Sequence, residues 1–122
     1  MTAQIHFIDG QWHAGEGSAV RSLDPAKNQV IWQGHSATEA QVDRAFQAAR
    51  RAFADWADLT FDARAAIVQA FGQQLTQHKE AMALTIARET GKPLWETRTE
   101  VAAMIGKVDI SIRAYHERTG VK

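Results

Sequence analysis

The sequence contains no cysteine, and this absence removes disulfides, thiolate metal sites and a cysteine nucleophile together. It has no surplus of charge either. Fourteen basic and fourteen acidic side chains cancel, so no overall field favours DNA, RNA or an anionic membrane, and neither nucleic acid nor a membrane is expected as a partner. The first seven residues lack the basic region and apolar core of a leader, and no apolar run approaches the roughly 18 residues of a membrane span. A cytoplasmic location is the expectation. No repeat, low-complexity tract or long linker divides the chain. Its 122 residues and 45% hydrophobic content suit one soluble domain with a sizeable core.

The familiar chemical signatures are scarce too. The five histidines, His6, His13, His35, His78 and His116, are scattered without an HExxH pair, so they read as surface or satisfied core residues and no metal is expected. Gly15-Glu16-Gly17 hints at a phosphate-cradling turn, but no helix starts there and no GxGxxG or P-loop follows, so it reads as a plain loop. No serine has the GxSxG context that exposes a nucleophile.

What is present is a change of periodicity. Residues 5–8 and 11–13 flank Asp9-Gly10, a pair suited to the positive φ angles of a type I′ turn, and predict a hairpin. Residues 20–23 and 29–34 predict a second strand pair around a turn opened by Asp24-Pro25 and completed by Lys27-Asn28. After Ser36 and Thr38, either of which can cap, Val42, Ala45, Phe46, Ala49, Phe53 and Trp56 recur at helical spacing and predict one buried face. A second helix is expected after Thr60, with Asp62 in its first turn and Ile67, Val68, Phe71 and Leu75 on its apolar side. A third runs from about Lys79 to Thr90-Gly91, where glycine suits a left-handed helix end. A fourth runs from Pro93, as first helical residue, to His116, with Gly120 closing it. The fold class is therefore α+β: short N-terminal β-hairpins over residues 1–36, then about four α-helices over residues 37–122.

Along the fourth helix, Leu94, Val101, Met104, Ile105, Val108, Ile112 and Tyr115 form the apolar side, and Asp109, Arg113 and Glu117 read as a solvated charge ladder. Glu96 and Glu100 share a face as paired acids in a site would, yet Lys92 precedes Glu96 by four and offers a structural explanation. Trp12, Trp32, Trp56 and Trp95 lack an accompanying basic stripe, which favours core and interface packing over base stacking. These readings describe an α+β piece jointed at Glu89-Thr90-Gly91-Lys92-Pro93 and do not by themselves give a reaction.

Several blocks nevertheless carry a specific resemblance. Phe7-Ile8-Asp9-Gly10-Gln11-Trp12, Asp24-Pro25-Ala26, Val42-Asp43-Arg44-Ala45, Ala48-Ala49-Arg50, Ala52-Phe53, Trp56, Arg64, Glu89-Thr90-Gly91-Lys92-Pro93-Leu94 and Glu100-Val101 resemble, in order and spacing, the opening of the aldehyde dehydrogenase superfamily. The likeness runs from Phe7 to Gly120. Within it, Trp32-Gln33-Gly34, Thr90 to Glu96, Thr99-Glu100-Val101 with Met104, Lys107 and Ile110-Ser111, and Ala114 to Gly120 are similar to the branch that oxidises succinylglutamate semialdehyde in bacterial arginine breakdown. Betaine aldehyde and lactaldehyde branches are the alternatives.

The resemblance implies an NAD(P)-dependent parent enzyme. In it a cysteine thiolate attacks the aldehyde, backbone and amide donors hold the oxyanion, hydride passes to the nicotinamide, and a glutamate activates water. In the family those parts lie beyond Lys122. The chain is thus expected to be an N-terminal segment, inactive alone, with no catalytic and no cofactor-binding residue, and binding neither NAD nor NADP by itself. Its implied partners are the remainder of the aldehyde dehydrogenase fold and, in a homo-oligomer, further copies. The family places one helix beside the substrate entrance, and it matches residues 93–116. Glu100, Met104 and Lys107 on its inward side are therefore the substrate-entrance candidates, though the match assigns none of them individually and each also has a core or surface reading. A lysine there would suit a doubly carboxylated substrate. Arg64 is expected to bridge helices. A non-catalytic helical interaction module is the rival reading. In either case, helices meant to cover a nucleotide-binding sheet should leave apolar faces exposed in this chain.

Overall fold

The computed structural model describes residues 4–119 and contains two compact units that part between Asp58 and Leu59. The first holds two antiparallel hairpins and a helix. Strands β1 (Gln4–Ile8) and β2 (Gln11–Ala14) pair with Phe7 opposite Trp12 and Ile8 opposite Gln11. Asp9 and Gly10 sit at φ 54° and 77°, the pair of positive angles that a type I′ turn requires. Strands β3 (Ala19–Asp24) and β4 (Gln29–His35) form the second hairpin. Its turn is held by Asp24, whose Oδ1 accepts from the Ala26 and Lys27 amides at 2.9 and 3.1 Å, and Asn28 takes φ 51°.

Helix α1 (Glu39–Asp58) starts on a capping box. Of the two candidate caps the structure uses Thr38: its Oγ1 accepts from the Gln41 amide at 3.3 Å while Gln41 Oε1 accepts from the Thr38 amide at 3.1 Å. The same Gln41 oxygen accepts from the Glu16 amide at 3.0 Å, and Gln41 Nε2 donates to the Ala14 carbonyl at 2.8 Å. Gln41 is accordingly 1% exposed. Nearby, the Gly17 amide donates to Ser36 O (2.8 Å) and the Ser36 amide to Ser18 O (2.9 Å). A Cβ on Gly15 would collide with the His35 carbonyl, and one on Gly17 would lie 2.6 Å from Ser36 Oγ. The two glycines therefore serve close backbone approach, as a loop and not as a ligand cradle.

The expected buried face of α1 is not buried. The side turned inward carries Gln41 and Ala48, whereas Phe46 is 73% and Phe53 56% exposed, with Val42 and Trp56 also open. The hairpins meet α1 on the Gln41 stripe, about 140° around the helix from the Phe46 stripe at ~100° per residue. An exposed apolar face, as expected from the resemblance, is present on α1. The tryptophans are likewise no core residues here, standing 39–68% exposed.

The second unit is helical: α2 (Phe61–Gln77), α3 (Lys79–Thr90) and α4 (Leu94–Arg118), with α4 packed on both others. Thr60 caps α2, its hydroxyl accepting from the Ala63 amide at 3.2 Å. Ala83, Thr97 and Val101 form the buried centre. Gly72 lets α2 approach α4 closely, since a Cβ there would lie 3.1 Å from Val108 Cγ2. The Phe61 and Tyr115 rings stack at 3.9 Å, with His116 edge-on to Phe61. Ile67 and Phe71, expected on the apolar side of α2, are exposed, while Val68 and Leu75 are half-buried. Gly91 ends α3 at φ 75°, its amide donating to Ala87 O. Pro93 precedes α4 as its N-cap at ψ 140°, one position earlier than expected, because extended backbone leads into the first turn. Gly120 lies outside the described residues; α4 closes through the Thr119 amide donating to Tyr115 O.

Candidate functional site

The joint between α3 and α4 positions the candidate residues. The left-handed turn at Gly91 and the fixed φ of Pro93 deliver Lys92 alongside the first two turns of α4. Its Nζ hydrogen-bonds Glu100 and lies 3.6 Å from Glu96, bridging two acids spaced one turn apart. The bond to Glu100 and that residue's charge, reinforced by Glu96, raise the Lys92 ammonium above its ordinary lysine range. The structural explanation for the acid pair thus holds: a shared cation answers their mutual repulsion.

Glu100, Met104 and Lys107 follow at intervals of four and three, which puts them on one stripe of α4. This stripe lies beside the buried Thr97 and Val101 positions. Glu100 is half-buried and tied to Lys92, Met104 is 41% exposed, and Lys107 is exposed without an ion pair among the described residues. The stripe thus offers a thioether flanked by an engaged carboxylate and a free ammonium. It has no pairing of nucleophile and base. On its other flank α4 is fastened to α3, with Arg98 Nε and Nη2 at 3.0 and 2.9 Å from Glu80 Oε2. Arg113 and Glu117 of the charge ladder stand 3.9 Å apart in solvent. Arg64 donates from Nη1 to Leu59 O at 3.0 Å, holding the entry to its own helix.

Among the described residues no three His, Asp or Glu side chains gather as a metal site would require, and no helix is long and apolar enough to cross a membrane. One further arrangement lies in the first unit. Arg44 and Arg51 of α1 face the turn of the β1–β2 hairpin across a cleft, which no motif announces because its halves lie some thirty-five residues apart.

Comparison with known proteins decides the family. The model of the aldehyde dehydrogenase family matches residues 12–122. The chain belongs to the aldehyde dehydrogenase family. It is 61% identical over 116 residues to N-succinylglutamate 5-semialdehyde dehydrogenase of Burkholderia ambifaria, covering 95% of this chain. The chain spans 24% of that relative's length. Among solved structures, an NAD-dependent benzaldehyde dehydrogenase from Corynebacterium glutamicum superposes with a TM-score of 0.88 at 26% identity, over 100% of this chain and 27% of that one. A betaine aldehyde dehydrogenase variant from Staphylococcus aureus, in complex with NAD+, gives 0.87 at 26% identity, over 98% and 25%. Hairpins followed by four helices are thus the α+β architecture of this part of the aldehyde dehydrogenase fold.

Proposed function

We propose that this chain is the N-terminal segment of an NAD(P)-dependent aldehyde dehydrogenase that oxidises N-succinylglutamate 5-semialdehyde to N-succinylglutamate in arginine catabolism. The observation that carries this is the gap between 61% identity to the relative of that name and 26% to a betaine aldehyde dehydrogenase. With no cysteine, the chain supplies no thiolate nucleophile. Its two-glycine loop is filled by its own backbone, which speaks against that loop as a phosphate cradle. Its contribution is support: exposed apolar faces on α1 and α2 to be covered by the remainder of the fold, in a cytoplasmic homo-oligomer.

Glu100, Met104 and Lys107 are assigned to the substrate entrance. Lys107 is the attractive charge for a carboxylate-bearing aldehyde, while Lys92 keeps Glu100 from opposing it.

The complete enzyme tests the reading. Its kcat/KM on N-succinylglutamate 5-semialdehyde should exceed that on betaine aldehyde by about 100-fold or more; equal values would defeat the substrate assignment. Lys107→Met should raise KM for the anionic aldehyde about tenfold, more than for an uncharged one. An equal effect on both would remove Lys107 from the entrance.

A further inference from the structure

The first unit contains a cleft of about 410 Å³ floored in part by Ile8 and otherwise lined by polar and charged side chains, within the size range of small-ligand sites. Helix α1 lines one wall with Arg44, Gln47 and Arg51, which share a stripe at spacings of three and four. The β1–β2 hairpin supplies Asp9, Gln11 and His13 opposite. In a chain of zero net charge, this lining sets two guanidinium groups, an imidazole and two amides against a single carboxylate.

The existing ion pairs leave much of this donor capacity unspent. Arg51 Nη2 reaches Asp9 Oδ2 at 3.0 Å through one nitrogen. Arg44 Nη2 comes only to 3.7 Å from Glu16 Oε1, outside hydrogen-bond reach. Each guanidinium has five N–H donors arranged to grip a carboxylate at two points. The two arginines lie seven residues apart, about 10.5 Å along the helix at ~1.5 Å per residue. One small anion would have to draw both side chains inward to meet both forks. An extended acid can place one carboxylate at each, with the Gln47 amide between them.

We propose that this cleft is a binding site for a short-chain dicarboxylate, gripped at one end by Arg44 and at the other by Arg51, with Asp9 as the internal competitor for Arg51. Asp9 is placed for that role by the turn, at φ 54°. Asparagine tolerates this conformation equally well, so the competing charge can be removed without disturbing the hairpin.

The test uses the full-length protein carrying this segment and glutarate as the probe, by calorimetric titration at low ionic strength. Glutarate should bind saturably. Arg44→Gln and Arg51→Gln should each weaken it about tenfold, Asp9→Asn should tighten it about threefold or more, and acetate and inorganic phosphate should bind about tenfold more weakly. A structural role for the arginines would not produce opposite effects from the two ends of one ion pair. Absence of saturable binding, affinities unmoved by all three substitutions, weakening by Asp9→Asn, or phosphate matching glutarate would each overturn the proposal.

Discussion

Replacing Gln41 by alanine should be among the most damaging single changes in the first unit. Its side chain makes three hydrogen bonds: Oε1 accepts from the amides of Glu16 and Thr38, and Nε2 donates to the Ala14 carbonyl. At about 1 kcal/mol net each, their loss approaches 3 kcal/mol. Because the site is nearly closed to water, the orphaned Glu16 and Thr38 amides add a desolvation cost, while partial relaxation returns some of it. We expect about 2–4 kcal/mol, read as a shift in the urea midpoint at unchanged slope. Gln41→Leu isolates the cause, since it nearly restores the volume and none of the bonds. It should recover less than about 1 kcal/mol of the loss. Amide hydrogen exchange should accelerate at Glu16 and Thr38 in both variants. A Gln41→Ala protein within about 0.5 kcal/mol of wild type, with those amides still protected, would refute the reasoning.

Gly15→Ala should cost about 1–3 kcal/mol, because the added methyl meets the His35 backbone and not a movable side-chain tip; chemical denaturation of the purified variant measures it. Phe46→Ser with Phe53→Ser should reduce dye binding and light-scattering mass of this chain by roughly half or more, since both rings already face solvent. Unchanged self-association would place the sticky surface elsewhere. Lys92 acquires its acidic partners on folding, and its folded pKa lies above the unfolded value. Its stabilising contribution is therefore complete below about pH 10.4 and lost as pH rises through the raised value. The difference in urea midpoint between wild type and Lys92→Met should stay level near neutrality and shrink only above about pH 10.4.

The local grammar of this fold was readable residue by residue. Asp9-Gly10 announced a turn because few residues accept positive φ, and Thr38, Thr60 and Gly91 announced helix boundaries because their hydroxyls or missing Cβ solve problems at helix ends. Periodicity was less informative about environment. The Val42–Phe46–Phe53 pattern reports that a face needs cover but not what covers it, and the hairpins chose the Gln41 stripe instead. Gln41 itself was legible as half of a capping box with Thr38. Its bonds to Ala14 and Glu16 were not, because they depend on tertiary contacts across more than twenty residues. For the candidate site, Lys92 was placed beside Glu96 by simple helical spacing, whereas its stronger bond to Glu100 needed the left-handed joint to bring it within reach. The cleft between α1 and the first hairpin was invisible for the same reason as the Gln41 contacts.

The bonds around Gln41, together with the Gly17 amide on Ser36 O and the Ser36 amide on Ser18 O, close a ring of chain that contains the whole β3–β4 hairpin. Both feet of that hairpin are therefore fixed at one place, independently of its tip. Extra residues inserted between Ala26 and Lys27 would lengthen a loop whose ends are already clamped, and lengthening such a loop costs little free energy. The tip is thus a natural port for a reporter peptide or protease site, one that would leave the start of α1 undisturbed.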